Sequence, residues 1–160
     1  MKRQVASKHD SRDYIDRIQS SCKLQLDVPR SAQVDIIEPD DGITFIVVDG
    51  RYTFVKQGES FIPYVGSAHV TDLLPAARID DGAIKYILKG ADVMRPGIAK
   101  YDEWGGADRL VVVRDEAKGR ALAVGKSLVE SAEMAKMTKG ICIKNVHHAG
   151  DRVWDAFKKI

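Results

Sequence analysis

In the first half of the chain, Tyr14, Ile15, Ile18 and Cys22 form one apolar stripe at helical spacing. They follow Asp10 and Ser11, whose side chains can cap a helix start, and the pattern predicts a helix over about 11–21. Past residue 30 the period shortens. Val34, Ile36 and Ile37 lead into the turn cluster Pro39-Asp40-Asp41-Gly42. Ile43–Val48 and Arg51–Val55 are both dense in β-branched and aromatic residues, with Asp49-Gly50 between them. Such a pair suits a type I′ hairpin turn, which needs positive φ at both central residues. Residues 33–56 therefore predict a three-stranded antiparallel meander covered by one helix, a small α+β unit. Residues 57–66 break the periodicity, and 67–75 predict a short helix ended by Pro75. The boundary between two domains, 1–76 and 77–160, is expected there.

The second half opens on Asp80-Asp81-Gly82, which supplies an N-cap for a helix with Ile84, Ile87 and Leu88 on its apolar face. Gly90 ends that helix as a left-handed residue would. Arg109–Arg114, containing LVVV, reads as a buried strand, and Arg120–Lys126 as another. Ser131 is expected to cap a short helix carrying Met134 and Met137, ended by Gly140. Ile141–Val146 and Val153–Phe157 read as two last strands. Strands, tight turns and two short helices within about eighty residues suggest a small β-barrel with peripheral helices.

Composition narrows the class. With 44% hydrophobic and 30% charged residues a core can form, and wholesale disorder is excluded. No apolar run is long enough for a membrane span. The N-terminal MKRQVASKHDSRD has no apolar stretch behind its charges and is not a secretory signal. Cys22 and Cys142 lie far apart and predict buried, reduced side chains, so a cytoplasmic protein is expected. Net charge is +2, unevenly spread: residues 1–81 hold 10 Lys+Arg against 13 Asp+Glu, and 82–160 hold 15 against 10. A basic C-terminal half suits a phosphate-bearing partner.

Catalytic motifs are not found. GRALAVGKS resembles a phosphate-binding loop, but Arg120 stands where that motif needs glycine, and Ala121–Gly125 alternates like a strand. His147 and His148 are adjacent, so on a strand they face opposite ways and cannot share one metal. No metal and no cofactor is expected. More telling is Lys85 and Lys89, four apart on one helix face and running into the loop from Gly90 to Gly97. That loop joins glycines, Arg95 and a Pro-Gly turn, a combination that admits close backbone approach and anions.

The run IDDGAIKYILKGADVMRPGI, with the later ALAVGKSLVESAEMAKMTKGICIKNVHHAGDRVW, resembles the PUA domain of pseudouridine synthases and archaeosine transglycosylases. The whole arrangement resembles the malignant T-cell-amplified-sequence family, in which a small pre-PUA domain precedes a PUA domain. The hairpin ITFIVVDGRYTFVKQGESFIPYV is similar to that pre-PUA segment. The resemblance implies a PUA pseudo-barrel that binds structured RNA without catalysis. The RNA would be tRNA or rRNA, in translation initiation or ribosome recycling, with the small ribosomal subunit or a translation factor as partner. An RNA-targeting subunit of a separate modifying enzyme is the alternative. It also implies a groove with Lys85, Lys89, Gly90, Ala91, Met94, Arg95, Pro96 and Gly97 on one side and Lys144, Asn145 and His147 on the other. Tyr101–Ala107 departs from the common pattern. Its Trp104 reads either as a stacking platform or as a packed loop anchor, and Trp154 reads as core.

Overall fold

The computed structural model describes residues 1–39 and 42–160, so the Asp40–Asp41 part of the expected turn lies outside the described residues. The first half comprises β1 (Lys2–Val5), α1 (Lys8–Cys22), β2 (Val34–Glu38), β3 (Phe45–Val48), β4 (Tyr52–Gln57), β5 (Ser60–Pro63) and α2 (Ala68–Thr71). The five strands pair in sequence order, all antiparallel. Asp49 and Gly50 take φ of 54° and 67°, the two left-handed residues that the β3–β4 hairpin requires.

Three expectations for this half change. The helix begins earlier, because Ser7 rather than Asp10 or Ser11 caps it, its hydroxyl accepting from the Asp10 N–H at 3.1 Å. The meander has five strands, not three. All four β1 residues are exposed, so no alternation marks them as a strand. The third change is β5, which lies within the segment that breaks the periodicity and pairs with β4 from Gln57↔Ser60 onward.

The second half comprises β6 (Ala76–Ile79), α3 (Asp81–Ile87), β7 (Val93–Met94), a 3-10 turn at Arg95–Gly97, β8 (Ile98–Tyr101), β9 (Leu110–Asp115), β10 (Ala121–Ser127), α4 (Ser131–Met134), β11 (Ile141–His148) and α5 (Arg152–Phe157). Its strands form a nearly closed, barrel-like sheet in the order β7-β11-β10-β9-β6-β8, with β6 parallel to β9 and the other pairs antiparallel. Glu130, not Ser131, is the N-cap of α4; Ser131 is buried and its hydroxyl accepts from the Gly105 N–H. Residues 153–157 are helical rather than extended, because the Asp151 carboxylate accepts from the Trp154 N–H at 2.9 Å and starts α5.

The barrel has its own core, with Ala77, Ile79, Val111, Val113, Met134 and Ile143 among its members. Trp104 belongs to it: the ring is buried and its Nε1–H donates to Val129 O, so it is a packed anchor and not a stacking platform. The opposite face of the same sheet is partly covered by the first half. Leu110, Val112 and Val124 pack into one cluster with Ile15, Ile18, Val34, Ile46 and Phe54 of the first half. A third cluster brings α5 back onto the first sheet, with Ala156 and Phe157 against Phe45 and Tyr64. No helix among the described residues is long and apolar enough to cross a membrane.

Candidate nucleic-acid interface

The candidate site is built around α3. Asp80 caps it, the carboxylate accepting from the Ala83 N–H at 3.1 Å. Ile87 anchors it in the barrel core, leaving Lys85, Tyr86 and Lys89 exposed. Gly90 follows the helix with φ of 95°, and the Ala91 N–H then turns back onto Tyr86 O. The chain enters β7, which pairs with β11, and passes through the 3-10 turn into β8. The Asp80 N–H donates to Gly97 O, tying the loop's end to the helix start.

Between α3 and this loop lies an open groove of about 580 Å³. Its wall is mostly apolar, with Tyr86, Ile87, Val93, Met94, Pro96 and Ile141 among the lining residues. Ala91 and Gly97 also line it, and Asp80 and Asp92 supply its acidic groups. The cations stand outside the groove: Lys85, whose Nζ lies 5.1 Å from the Tyr86 ring centre, and Lys89 and Lys144, all exposed. An apolar trough with cations beside it suits an unstacked base whose phosphates lie at the rim.

Three of the expected residues are engaged within the protein itself. Arg95 braces the loop: its Nε–H donates to Met134 O at 3.0 Å and an Nη1–H to Ile98 O at 3.2 Å. Asn145 ties β11 to the loop, its Nδ2 group donating to Ile87 O and Ala91 O while its backbone N–H donates to Asp92 Oδ1. His147 is absent from the groove. It is 1% exposed and stacked on Tyr64, with its Nε2 accepting from the Val65 N–H at 3.0 Å. That arrangement places the proton on Nδ1, which donates to Asp151 Oδ2 at 2.8 Å.

A β-bulge explains the exchange. On β10, Val124 faces His147 while the next residue, Gly125, faces Asn145, leaving Val146 as the extra residue on β11. One inserted residue reverses the faces beyond it. His147 thus turns toward the first sheet, and His148, which no sequence motif singles out, turns toward the loop. Its Nδ1–H donates to Ala149 O, and its Nε2 lies 3.4 Å from where a Cβ on Gly90 would stand.

Three further reactive groups, Cys22, Cys142 and Asp115, are buried. Burial pushes the Cys22 thiol up to about 12 and raises that of Cys142. Burial acts upward on Asp115 too, but the Arg120 guanidinium and the Lys118 and Arg120 N–H groups hold its carboxyl below the usual range. Among the described residues, no three His, Cys, Asp or Glu side chains gather as a metal site.

The sequence matches the family model of the PUA domain over residues 75–149. It is 32% identical to Translation machinery-associated protein 20 of Saccharomyces cerevisiae over 139 residues, covering 80% of this chain and 75% of that one. To Malignant T-cell-amplified sequence 1-A of Xenopus laevis it is 33% identical over 132 residues, 79% of this chain and 73% of that one. The chain belongs to the malignant T-cell-amplified sequence family. The fold agrees: a crystal structure of a PUA domain from Aeropyrum pernix superposes with a TM-score of 0.86, covering 99% of this chain and 91% of that one at 21% identity. The match to the PUA model takes in α3, its groove and β11, whereas the five-stranded sheet lies before it.

Proposed function

We propose that this member of the malignant T-cell-amplified sequence family binds structured RNA in translation and does not transform it. The observation that carries the reading is the apolar groove beside α3, with Lys85, Lys89 and Lys144 outside it, in a chain whose relatives include a translation machinery-associated protein. Bases would enter the groove against Met94 and Pro96, lysines would meet phosphates, and the exposed backbone of Gly90 and Ala91 would approach the sugar-phosphate chain. Arg95 and Asn145 act as braces for the loop in this reading, and His148 replaces His147 as the histidine beside it. The non-catalytic role is supported by the use of the buried cysteines, His147, Asp115 and Asp151 in packing and hydrogen bonding.

The finer reading is that the RNA is tRNA or small-subunit rRNA, bound in the cytoplasm during initiation or recycling with the ribosomal subunit or a translation factor as partner. Residues 77–160 would form the RNA-holding domain and 1–76 a second domain that supports it. No cofactor is called for. Crosslinking and sequencing of cellular RNA tests the identity; reads spread evenly over mRNA would overturn it. Titration with a synthetic RNA hairpin bearing a single-stranded 3′ tail tests the site. Lys85→Gln/Lys89→Gln should weaken binding and reduce the slope of log affinity against log salt by about 2, since each phosphate left without its lysine lowers the slope by roughly one. An unchanged slope would place the RNA elsewhere.

A further inference from the structure

On strands β6, β8 and β9 of the barrel-like sheet, three cations stand in register. Arg78 on β6 lies directly opposite Lys100 on β8 and opposite Arg114 on β9. Residues opposite one another share a face, so the row crosses three neighbouring strands, roughly 10 Å at the usual strand spacing. Ala76 and Val112, two positions before Arg78 and Arg114, pack against the first half, which puts the row on that face beyond the junction.

The turn joining β9 to β10 extends the row. Arg114 donates through Nη1 to Gly119 O at 2.9 Å, and Arg78 Nη1 lies 3.2 Å from where a Cβ on Gly119 would stand. Both guanidinium groups therefore converge on one glycine, with Lys118 and Arg120 on either side of it. A depression of about 460 Å³ lies beside the row, between Arg78, Lys100 and Tyr101.

Of the carboxylates nearby, two are paired with this set, while Asp102, which lines the depression, and Glu116 are not. Asp115 is buried against Arg120, and Asp102 accepts the Ala76 N–H. Asp72 pairs with Arg114 at 3.0 Å but is itself 70% exposed. Glu116, exposed on the turn, is in no ion pair, and neither Arg78 nor Lys100 is in one among the described residues. Like charges directly opposite on neighbouring strands cost free energy; Arg114, 15% exposed, is offset by Gly119 O and Asp72, whereas Arg78 and Lys100 have no such carboxylate partner among the described residues.

We propose that the Lys100–Arg78–Arg114 row is a second RNA contact, a track for the phosphodiester backbone of a stem, separate from the groove beside α3. It rests on the RNA-binding reading but shares no residue with that groove. Asp72 occupies Arg114 in the free protein and gives way to a phosphate.

The test uses the full chain and a synthetic RNA hairpin with a single-stranded 3′ tail, titrated over a series of salt concentrations, with the tail oligonucleotide alone for comparison. Arg78→Gln/Lys100→Gln should weaken hairpin binding about tenfold and lower the salt slope by about 2. Binding of the tail alone should be unaffected. Arg78→Lys should keep the slope. Asp72→Asn should tighten hairpin binding, a gain that a purely structural role for these residues would not produce. Melting temperature should hold or rise as the clustered charges are removed. If Arg78→Gln/Lys100→Gln binds the hairpin like the parent while Lys85→Gln/Lys89→Gln does not, the row is refuted and the groove stands. If the row variants lose binding and the groove variants do not, the row stands and the groove fails. No binding of the hairpin by the parent overturns both.

Discussion

Asp151 accepts three hydrogen bonds, from the His147 ring and from the His148 and Trp154 backbone N–H groups. Burial alone would raise its pKa, yet the His147 ring N–H, with the Trp154 and His148 backbone N–H groups, outweighs burial and holds it down at about 2. A carboxyl lowered in the folded state contributes stability that is complete above the ordinary carboxylate range and is lost as pH falls through the folded value. Urea unfolding followed at a series of acid pH values should therefore show the midpoint falling through the window from about 4 to about 2. Asp151→Ala removes the α5 cap and the partner of His147, and should cost about 1–3 kcal/mol at neutral pH while flattening that acid limb. In the sequence His147 and Asp151 are near neighbours, but nothing there says which histidine faces inward. Strict alternation along β11 puts His147 beside Asn145; the bulge at Val146 reverses it, and the bulge depends on pairing with β10, some twenty residues earlier.

At the scale of single elements, α3 and its loop are legible because their signals are local. An aspartate at the cap, two apolar residues three apart and a glycine at the end each act within a turn. Gly90→Val should cost about 1–2 kcal/mol, because a β-branched residue is forced into the left-handed region, and should also press on the His148 ring at 3.4 Å. Arg95→Ala separates stability from charge. Its two hydrogen bonds to carbonyls predict a loss of about 1–2 kcal/mol in denaturant unfolding, with a salt slope for RNA close to that of the parent. A reading of Arg95 as a phosphate ligand predicts the opposite on both counts. Two elements are hidden in the sequence for the same reason, that what defines them lies outside their own residues. β1 has no buried face of its own and exists because β2 offers it an edge, and α5 has the apolar density of a strand until Asp151 caps it.

For the molecule as a whole, the uneven charge marks the C-terminal half as the side proposed for RNA, but no sequence pattern shows how the halves meet. Leu110, Val112 and Val124 look like ordinary buried strand residues, and alternation cannot tell a core within the barrel from a core shared with another sheet. That sharing has a measurable consequence. Expressed apart, residues 1–75 and 76–160 should each be less stable than the intact chain, with the C-terminal piece binding a hydrophobic dye through the bared face. Mixing the two pieces should reduce dye binding and raise the melting temperature. Two independent transitions in the intact chain, each matching one isolated piece, would count against the shared core.

The packing at this junction also bears on how freely the PUA part could be exchanged in evolution or engineering. A barrel transplanted from another protein onto residues 1–75 would need small or apolar side chains at the positions of Leu110, Val112 and Val124, and an acceptor for the Val65 N–H where His147 now provides one. It would also have to carry its own counterpart of α5, since Ala156 and Phe157 close the far side of the first sheet. Grafts that keep the loop after α3 but ignore these positions should yield insoluble chains, whereas changes confined to Tyr86, Lys89 and Met94, all exposed and outside the clusters that join the halves, should leave the two halves together.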